Sequence, residues 1–462
     1  MMRKFLIMAV CAMTFSTASM AGGLMTNTNY HIAFDRMMAR GATFDIDAAY
    51  SNPAGLAWGH EGFQLSLNFQ KPWQNRDITT TIPHFLAYPG VYDHGYEGLQ
   101  NKKFEGVASA PIVPALFASY KKDRWAISSM IGIVGSGGFV KYSEGIPMFN
   151  ALVMGSIFKQ TLTAKMMNPE APLLVITPEM YDIDSEVKGK QYIYGAQVNF
   201  TYRVTDEFAA AIGLRANYYD GYSRVRLKAI GTNPLIATTT LADLNLDCTQ
   251  RGIGVAPIVS FDYHKGALNL TARYEFRTKI NTKNDTKELP EELGELAAPY
   301  ADGVHVRYDM PSLLSLAVGY EFTPQLRATL EYHFFDDKHA VMAGDRQKEL
   351  THGTNEFLAG IEWDINKKFT VSCGGQRTDY GLADGYQQNT SFACDSYSIG
   401  LGGAWNISDK LRLNAGYFIT LYSDYTREFT AEQGGYQGTG YPGQDVYSRT
   451  NNVIGVGLDY KF

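Results

Sequence analysis

Residues 266–277 read Gly-Ala-Leu-Asn-Leu-Thr-Ala-Arg-Tyr-Glu-Phe-Arg, and their alternation decides the fold. The odd positions Asn269, Thr271, Arg273, Glu275 and Arg277 are polar, while Leu268, Leu270, Ala272, Tyr274 and Phe276 are not. A period of two puts successive side chains on opposite faces, so this is a strand with one apolar face. The next hairpins repeat it. Arg327, Thr329, Glu331 and His333 oppose Leu326, Ala328, Leu330, Tyr332 and Phe334. Arg412, Asn414 and Thr420 oppose Leu411, Leu413, Ala415, Tyr417, Ile419 and Leu421.

Outward from this stretch runs a regular rhythm. Six tight turns, Lys121-Lys122-Asp123, Thr205-Asp206-Glu207, His264-Lys265-Gly266, Thr323-Pro324-Gln325, Asn366-Lys367-Lys368 and Ser408-Asp409-Lys410, separate pairs of alternating runs. Seven long polar segments, 81–104, 142–190, 229–249, 281–303, 336–353, 379–392 and 427–446, lie between those hairpins. Turns and loops alternate without exception, which predicts fourteen strands with every long loop at one end. An even strand count with short turns at one end and long loops at the other is the pattern of a transmembrane β-barrel of the bacterial outer membrane. Periodicity alone leaves open which face points outward; the aromatics decide it. Tyr120, Trp125, Tyr202, Phe208, Tyr263, Phe322, Trp363, Phe369 and Trp405 cluster beside the tight turns on the apolar phase, as an interfacial girdle does. The last strand, 453–462, ends on Phe462 in the same phase, and a terminal aromatic of this kind is similar to the signal read by the barrel-assembly machinery.

Composition agrees. The 462 residues are 45% hydrophobic, 13% aromatic and 19% charged, with 45 Gly, 30 Tyr and 25 Phe, a mix that favours strands and tight turns. Met1-Met2-Arg3-Lys4, the apolar run from Phe5 to Phe15, and Ser19-Met20-Ala21 predict a signal peptide over 1–21, cleaved after Ala21. Removing Arg3 and Lys4 takes 41 Lys+Arg to 39 against 47 Asp+Glu, a net charge of −8. An acidic chain without basic clusters makes nucleic acid a poor partner. Cys248, Cys373 and Cys394 allow at most one disulfide and do not say which. No run approaches the 18 or so apolar residues of a helical span.

Residues 22–61 lack the alternation and are too many for a lead-in, which leaves them to fill the lumen of the barrel over 62–462 as an N-terminal hatch. Tyr30 to Arg40 fits a short amphipathic helix, and Asn52-Pro53-Ala54-Gly55 is turn chemistry. Here the sequence resembles the FadL/TodX family of outer-membrane transporters for long-chain fatty acids and other hydrophobic compounds. The resemblance rests on Ala39-Arg40-Gly41-Ala42, Asp45-Ile46-Asp47-Ala48-Ala49-Tyr50 and Ser51-Asn52-Pro53-Ala54-Gly55-Leu56, with weaker likeness through hairpins such as 308–320. It implies a fourteen-stranded barrel, a gating hatch at Asn52, Pro53, Ala54 and Gly55, surface capture of a hydrophobic ligand, and lateral exit at a kink in the third strand. Gly135, Gly137 and Gly138 are the glycines for that kink; a plain barrel bend would use them equally. Loop 142–190 is apolar and Met-rich, and Met148, Phe149, Met154 and Phe158 either meet the ligand or fold the loop on itself. Luminal Arg215, Arg273, Arg277, Arg327 and Arg412 either meet a carboxylate or pair with neighbours such as Glu275, Glu321 and Glu331. Arg215, Arg273 and Arg327 are the ones carried forward as ligand candidates.

Rival chemistries fare poorly. Gly135-Ser136-Gly137 has no strand-to-helix turn around it and is no nucleophile elbow. His333, His339, His352, Asp336 and Asp337 match no zinc spacing, and Asp45-Ile46-Asp47 lacks the rest of a calcium loop. The reading is therefore a non-enzymatic channel without cofactor or metal, embedded among outer-membrane lipids. With no energy-coupling box near the N-terminus, uptake is passive. A surface receptor or adhesin barrel is the alternative, and a lipid-acting enzyme barrel a more distant one.

Overall fold

The computed structural model describes residues 25, 30–82, 99–110, 112–153, 157, 166–170, 180–234, 240–290, 294, 297–438 and 442–462. The expected signal peptide, Met154 and Phe158 lie outside them. Fourteen antiparallel strands, counted among the described residues, form one closed sheet. They are β1 (Gly62–Ile82), β2 (Leu99–Ser109 and Val113–Lys122), β3 (Trp125–Tyr142), β4 (Tyr181–Arg203) and β5 (Phe208–Gly231). Then follow β6 (Thr240–Lys265), β7 (Leu268–Glu275 and Asn281–Glu288), β8 (His305–Arg307 and Leu313–Thr323), β9 (Leu326–Phe335) and β10 (Thr354–Asp364). The last four are β11 (Phe369–Asp379), β12 (Ser396–Asn406), β13 (Leu411–Tyr422 and Tyr425–Phe429) and β14 (Gly443–Lys461). Pairing of β1 with β14, from Gln64↔Lys461 to Thr81↔Gln444, closes the ring and removes the free edges. The six tight turns sit where the sequence places them.

The apolar phase faces out. On β12, Tyr397, Ile399, Leu401 and Trp405 are exposed while Ser396 and Ser398 are buried. Such a belt is the surface a bilayer covers. Among the described residues no helix is long and apolar enough to cross a membrane.

Five expected loops are shorter than the sequence suggests, because strands run on into 99–104, 181–190, 240–249, 281–288 and 443–446. The reason is an inversion of polarity. On β5 the outward residues pass from Ile212, Leu214 and Tyr218 to Arg224, Arg226 and Lys228, while the inward ones pass from Arg215 and Asn217 to Val225, Leu227 and Ala229. At ~3.3 Å per residue, the 26 residues of β6 span about 85 Å, where a tilted crossing needs roughly ten residues. The surplus stands in water and carries its own inward apolar core. Ile78, Phe104, Val140, Tyr142, Val225 and Leu227 contribute to that core at the long-loop end.

Inside the ring lies the N-terminal segment. Helix α1 (Ile32–Met37) is capped by His31 Nδ1, which accepts from Ala33 N at 3.1 Å. It is shorter than the expected 30–40 stretch because Met38 adopts a left-handed φ of 65° and ends it. A one-turn helix α2 (Ala48–Ser51) and a 3₁₀ turn (Pro53–Trp58) follow.

Candidate functional site

The lumen is organised by how this segment is held. Ile32 N donates to Asn68 Oδ1 on β1 (3.1 Å), and Gln70 Nε2 on β1 donates to Asp35 Oδ1 (2.9 Å). Arg40 N and Gly41 N both donate to Glu331 Oε2 on β9 at 2.8 Å. On the other side, Gln197 Nε2 and Asn199 Nδ2 on β4 each donate to Ala49 O at 2.9 Å. Partners on strands all round the circle place the segment within the barrel.

The segment's Asn52-Pro53-Ala54-Gly55 turn is fixed to the wall. Asn52 Nδ2 donates to Asp262 Oδ2 (2.7 Å), Thr201 Oγ1 to Pro53 O (2.8 Å), and Ala54 N to Ser260 Oγ (3.0 Å). A Cβ on Gly55 would fall 2.5 Å from Thr43 O, so only glycine fits.

Buried charge does much of the remaining anchoring. Arg36 is ion-paired with Glu362 on β10 and donates to Ser372 Oγ at 2.7 Å. Arg327 shares Glu362 and reaches Asp364 at 2.7 Å. Arg40 grips Asp47 with two bonds of 2.7 and 2.9 Å. Arg215 and Arg273 converge on Glu275 and lie 5.7 and 5.2 Å from the Tyr50 ring centroid. The three arginines considered for a ligand carboxylate therefore each have a protein carboxylate already. His333 bridges Glu331 (Nε2, 2.7 Å) and Glu356 (Nδ1, 3.0 Å). A small cleft beside it is lined by Phe34, Arg40, Tyr50, Arg273, Glu331 and Phe335 among others.

Met148 and Phe149 sit on a short helical stretch over 147–153 and are buried in the long-loop core. Met148 N donates to Asn389 Oδ1 at 3.0 Å. Both side chains are buried there, whereas Met166 and Met167 are exposed.

The third strand is irregular at its glycines. Its register with β4 slips between Ile133 and Gly135 and again between Ser136 and Gly138, where φ is +71°. On its other side, among the described residues, the ladder with β2 has no pairs between Ala115↔Gly132 and Ser109↔Phe139. Opposite that interruption one part of β2 ends at Ser109 and the next begins at Val113, with Pro114 following.

One feature escaped sequence reasoning. Met37 O comes so close to β10 and β11 that a Cβ at Gly360 or Gly374 would lie 2.3 or 1.7 Å from it. Glycines on the inward phase of consecutive strands were the available signal. The three cysteines, Cys248, Cys373 and Cys394, are unpaired with one another. Among the described residues no group of three or more His, Cys, Asp or Glu is placed to hold a metal ion.

The architecture matches solved transporters. A Pseudomonas aeruginosa FadL homologue superposes with a TM-score of 0.64 at 14% identity, over 96% of this chain and 100% of that one. The Pseudomonas putida toluene transporter TodX gives 0.56 at 12%, over 95% and 100%. The Ralstonia pickettii toluene transporter TbuX gives 0.52 at 15%, over 95% and 100%. No protein-family model and no curated protein matches the chain.

Proposed function

We propose that this chain, which has the fold of the FadL and TodX transporters, is an outer-membrane channel for passive uptake of hydrophobic molecules, fatty acids or similar lipids foremost. One observation supports the reading: the N-terminal segment is hydrogen-bonded to strands around the lumen, while the β2–β3 ladder, among the described residues, lacks pairs between Ala115↔Gly132 and Ser109↔Phe139. A lumen occupied by that segment disfavours a wide water-filled pore, and an interrupted ladder would give an apolar solute a way out sideways. The long-loop end, read as extracellular, supplies an apolar interior from Ile78, Phe104, Met148, Phe149 and Val225. A greasy molecule would be captured there, pass the segment 22–61 acting as a hatch at Asn52-Pro53-Ala54-Gly55, and leave at Gly135, Gly137 and Gly138. Membrane lipids and the barrel-assembly machinery are the other partners, the latter engaging Phe462.

Uptake of radiolabelled oleate and of toluene by cells with and without the protein tests this. Faster uptake of at least one is expected. Equal uptake of both would overturn transport in favour of a surface receptor.

A further inference from the structure

On the outer face of β6, Phe261, Val255 and Ile253 are exposed and apolar, and the next outward side chain is Arg251. On β7, Leu270, Tyr274 and Phe276 run the same way and give place to Lys279 and then Lys283, both exposed. The stretch from Tyr263 to Ile253 is about the ten residues that a tilted strand needs to cross a bilayer. These cations therefore stand at headgroup level, at the long-loop end.

Arg251 and Lys283 face each other directly in the β6–β7 ladder, and His305 on β8 stands opposite Lys283 in turn. Side chains so opposed have Cβ atoms about 5 Å apart, and like charges there repel. Counter-charge is short. Arg251 reaches Asp220 at 3.5 Å and shares it with Lys190. Among the described residues Lys279 and Lys283 have no ion pair. Asp285, one outward step beyond Lys283, stands farther from the apolar belt.

Elsewhere the outer face treats charge differently. Higher on β5, Arg224 pairs with Asp247 and Arg226 with Asp184, at 3.1 and 2.7 Å. On the far wall the belt carries neutral pairs such as Tyr332–Asn355 and Tyr417–Asn452, each at 2.7 Å. A surplus of positive charge thus lies on β6 and β7, against the top of the apolar belt.

We propose that Arg251, Lys279 and Lys283 form an outward-facing site for the phosphorylated head of an outer-leaflet glycolipid, whose acyl chains lie along Ile253, Val255 and Phe276. A guanidinium binds phosphate with paired bonds, and an ammonium adds a compact charge. A phosphate between Arg251 and Lys283 would relieve their repulsion. Lys279 lies four residues from Lys283, ~13 Å along the chain, which suits a head bearing more than one phosphate. The site rests on the outer-membrane location with the long-loop end outside, and is independent of transport.

The test is native mass spectrometry of the full-length protein in an uncharged detergent with diphosphorylated lipid A, phosphatidylglycerol or inorganic phosphate. Lipid A bound about tenfold more tightly than phosphatidylglycerol is expected, and the triple variant Arg251→Gln, Lys279→Gln, Lys283→Gln should lose about that factor for lipid A. Lys283→Gln alone should lose part of it. Arg226→Gln, which removes a cation already paired with Asp184, should bind as the parent does. Heat-modifiability on gels confirms that each variant is folded. The proposal is overturned if phosphatidylglycerol or inorganic phosphate binds as tightly as lipid A. It is equally overturned if the folded triple variant or Lys283→Gln keeps parental affinity, or if Arg226→Gln loses as much as the triple variant.

Discussion

Asn52 Nδ2 donates to Asp262 Oδ2 at 2.7 Å, with both side chains at 0% exposure. The sequence suggests an asparagine that satisfies its own turn; instead it clamps that turn to β6. Asn52→Ala leaves Asp262 only the longer 3.4 Å bond from Asn269 Nδ2. Losing a buried bond of this kind costs about 1–3 kcal/mol. Amide exchange over 50–58 should accelerate while the barrel keeps its heat-modifiability on gels. Unaltered exchange there would contradict the clamp.

Glu362 serves two cations, Arg36 and Arg327, so its loss should exceed the loss of either. Glu362→Gln strands Arg36 and leaves Arg327 with Asp364 alone, a change of order 3–5 kcal/mol. Arg36→Met leaves Glu362 with Arg327 and should cost less. Unfolding temperatures in detergent rank the two variants; the opposite order would remove Glu362 from the centre of the network.

Gly374→Val cannot coexist with Met37 O, which lies 1.7 Å from the ideal Cβ. Helix α1 must move or the strand must bow. Limited proteolysis should cut within 30–45 in the variant and not in the parent. An uncut segment would mean that β11 yields instead.

Changing Gly135, Gly137 and Gly138 to Val should lower uptake of hydrophobic substrates severalfold. At Gly138 a side chain must also meet a φ of +71°, a strain of roughly 1–2 kcal/mol. Binding of decanoate or decanol to the purified variant should persist. Parental uptake rates would show that exit lies elsewhere.

Asp337, on the 3₁₀ turn Asp337–His339 of the β9–β10 loop, answers to pH. Burial, aided by like charge on Asp336 and Glu356, pushes its carboxyl up to about 6. The folded loop then favours the protonated acid, so its stability is highest below the ordinary value near 3.9 and falls as pH climbs toward 6. Exchange rates over 336–353, corrected for intrinsic pH effects, should rise across that window. Asp337→Asn should flatten the rise; a parent already flat would refute it.

The strand count was legible because each hairpin carries a local mark, such as Thr205-Asp206-Glu207 closing on Phe208. The hatch motif was legible as turn chemistry, but its partner Asp262 was not, since nothing local joins residue 52 to a strand two hundred positions on. The inversion on β5 was written in the sequence: even positions pass from Ile212 and Leu214 to Arg224 and Arg226. Its ladder partners, 181–190 on β4 and 240–249 on β6, read as loop because their charges break the apolar alternation of a membrane face. Met148 and Phe149 were correctly singled out as apolar; whether they face ligand or core depends on packing against Ile78 and Phe104, which come from β1 and β2.

A closed hydrogen-bonded cylinder resists expansion as a hoop does, with tension shared by every ladder around it. Among the described residues the ladder between β2 and β3 has no pairs between Ala115↔Gly132 and Ser109↔Phe139, and two bulges soften the β3–β4 ladder next to it. Circumferential stress, whether from a passing solute or from lateral pressure of the bilayer, will concentrate at that seam. Proline at 114, lacking an N–H, also leaves the seam one fewer donor with which to capture a foreign strand. The wall can therefore breathe there while unbroken ladders, such as β4–β5 from Tyr181↔Gly231 to Arg203↔Ala209, hold its diameter.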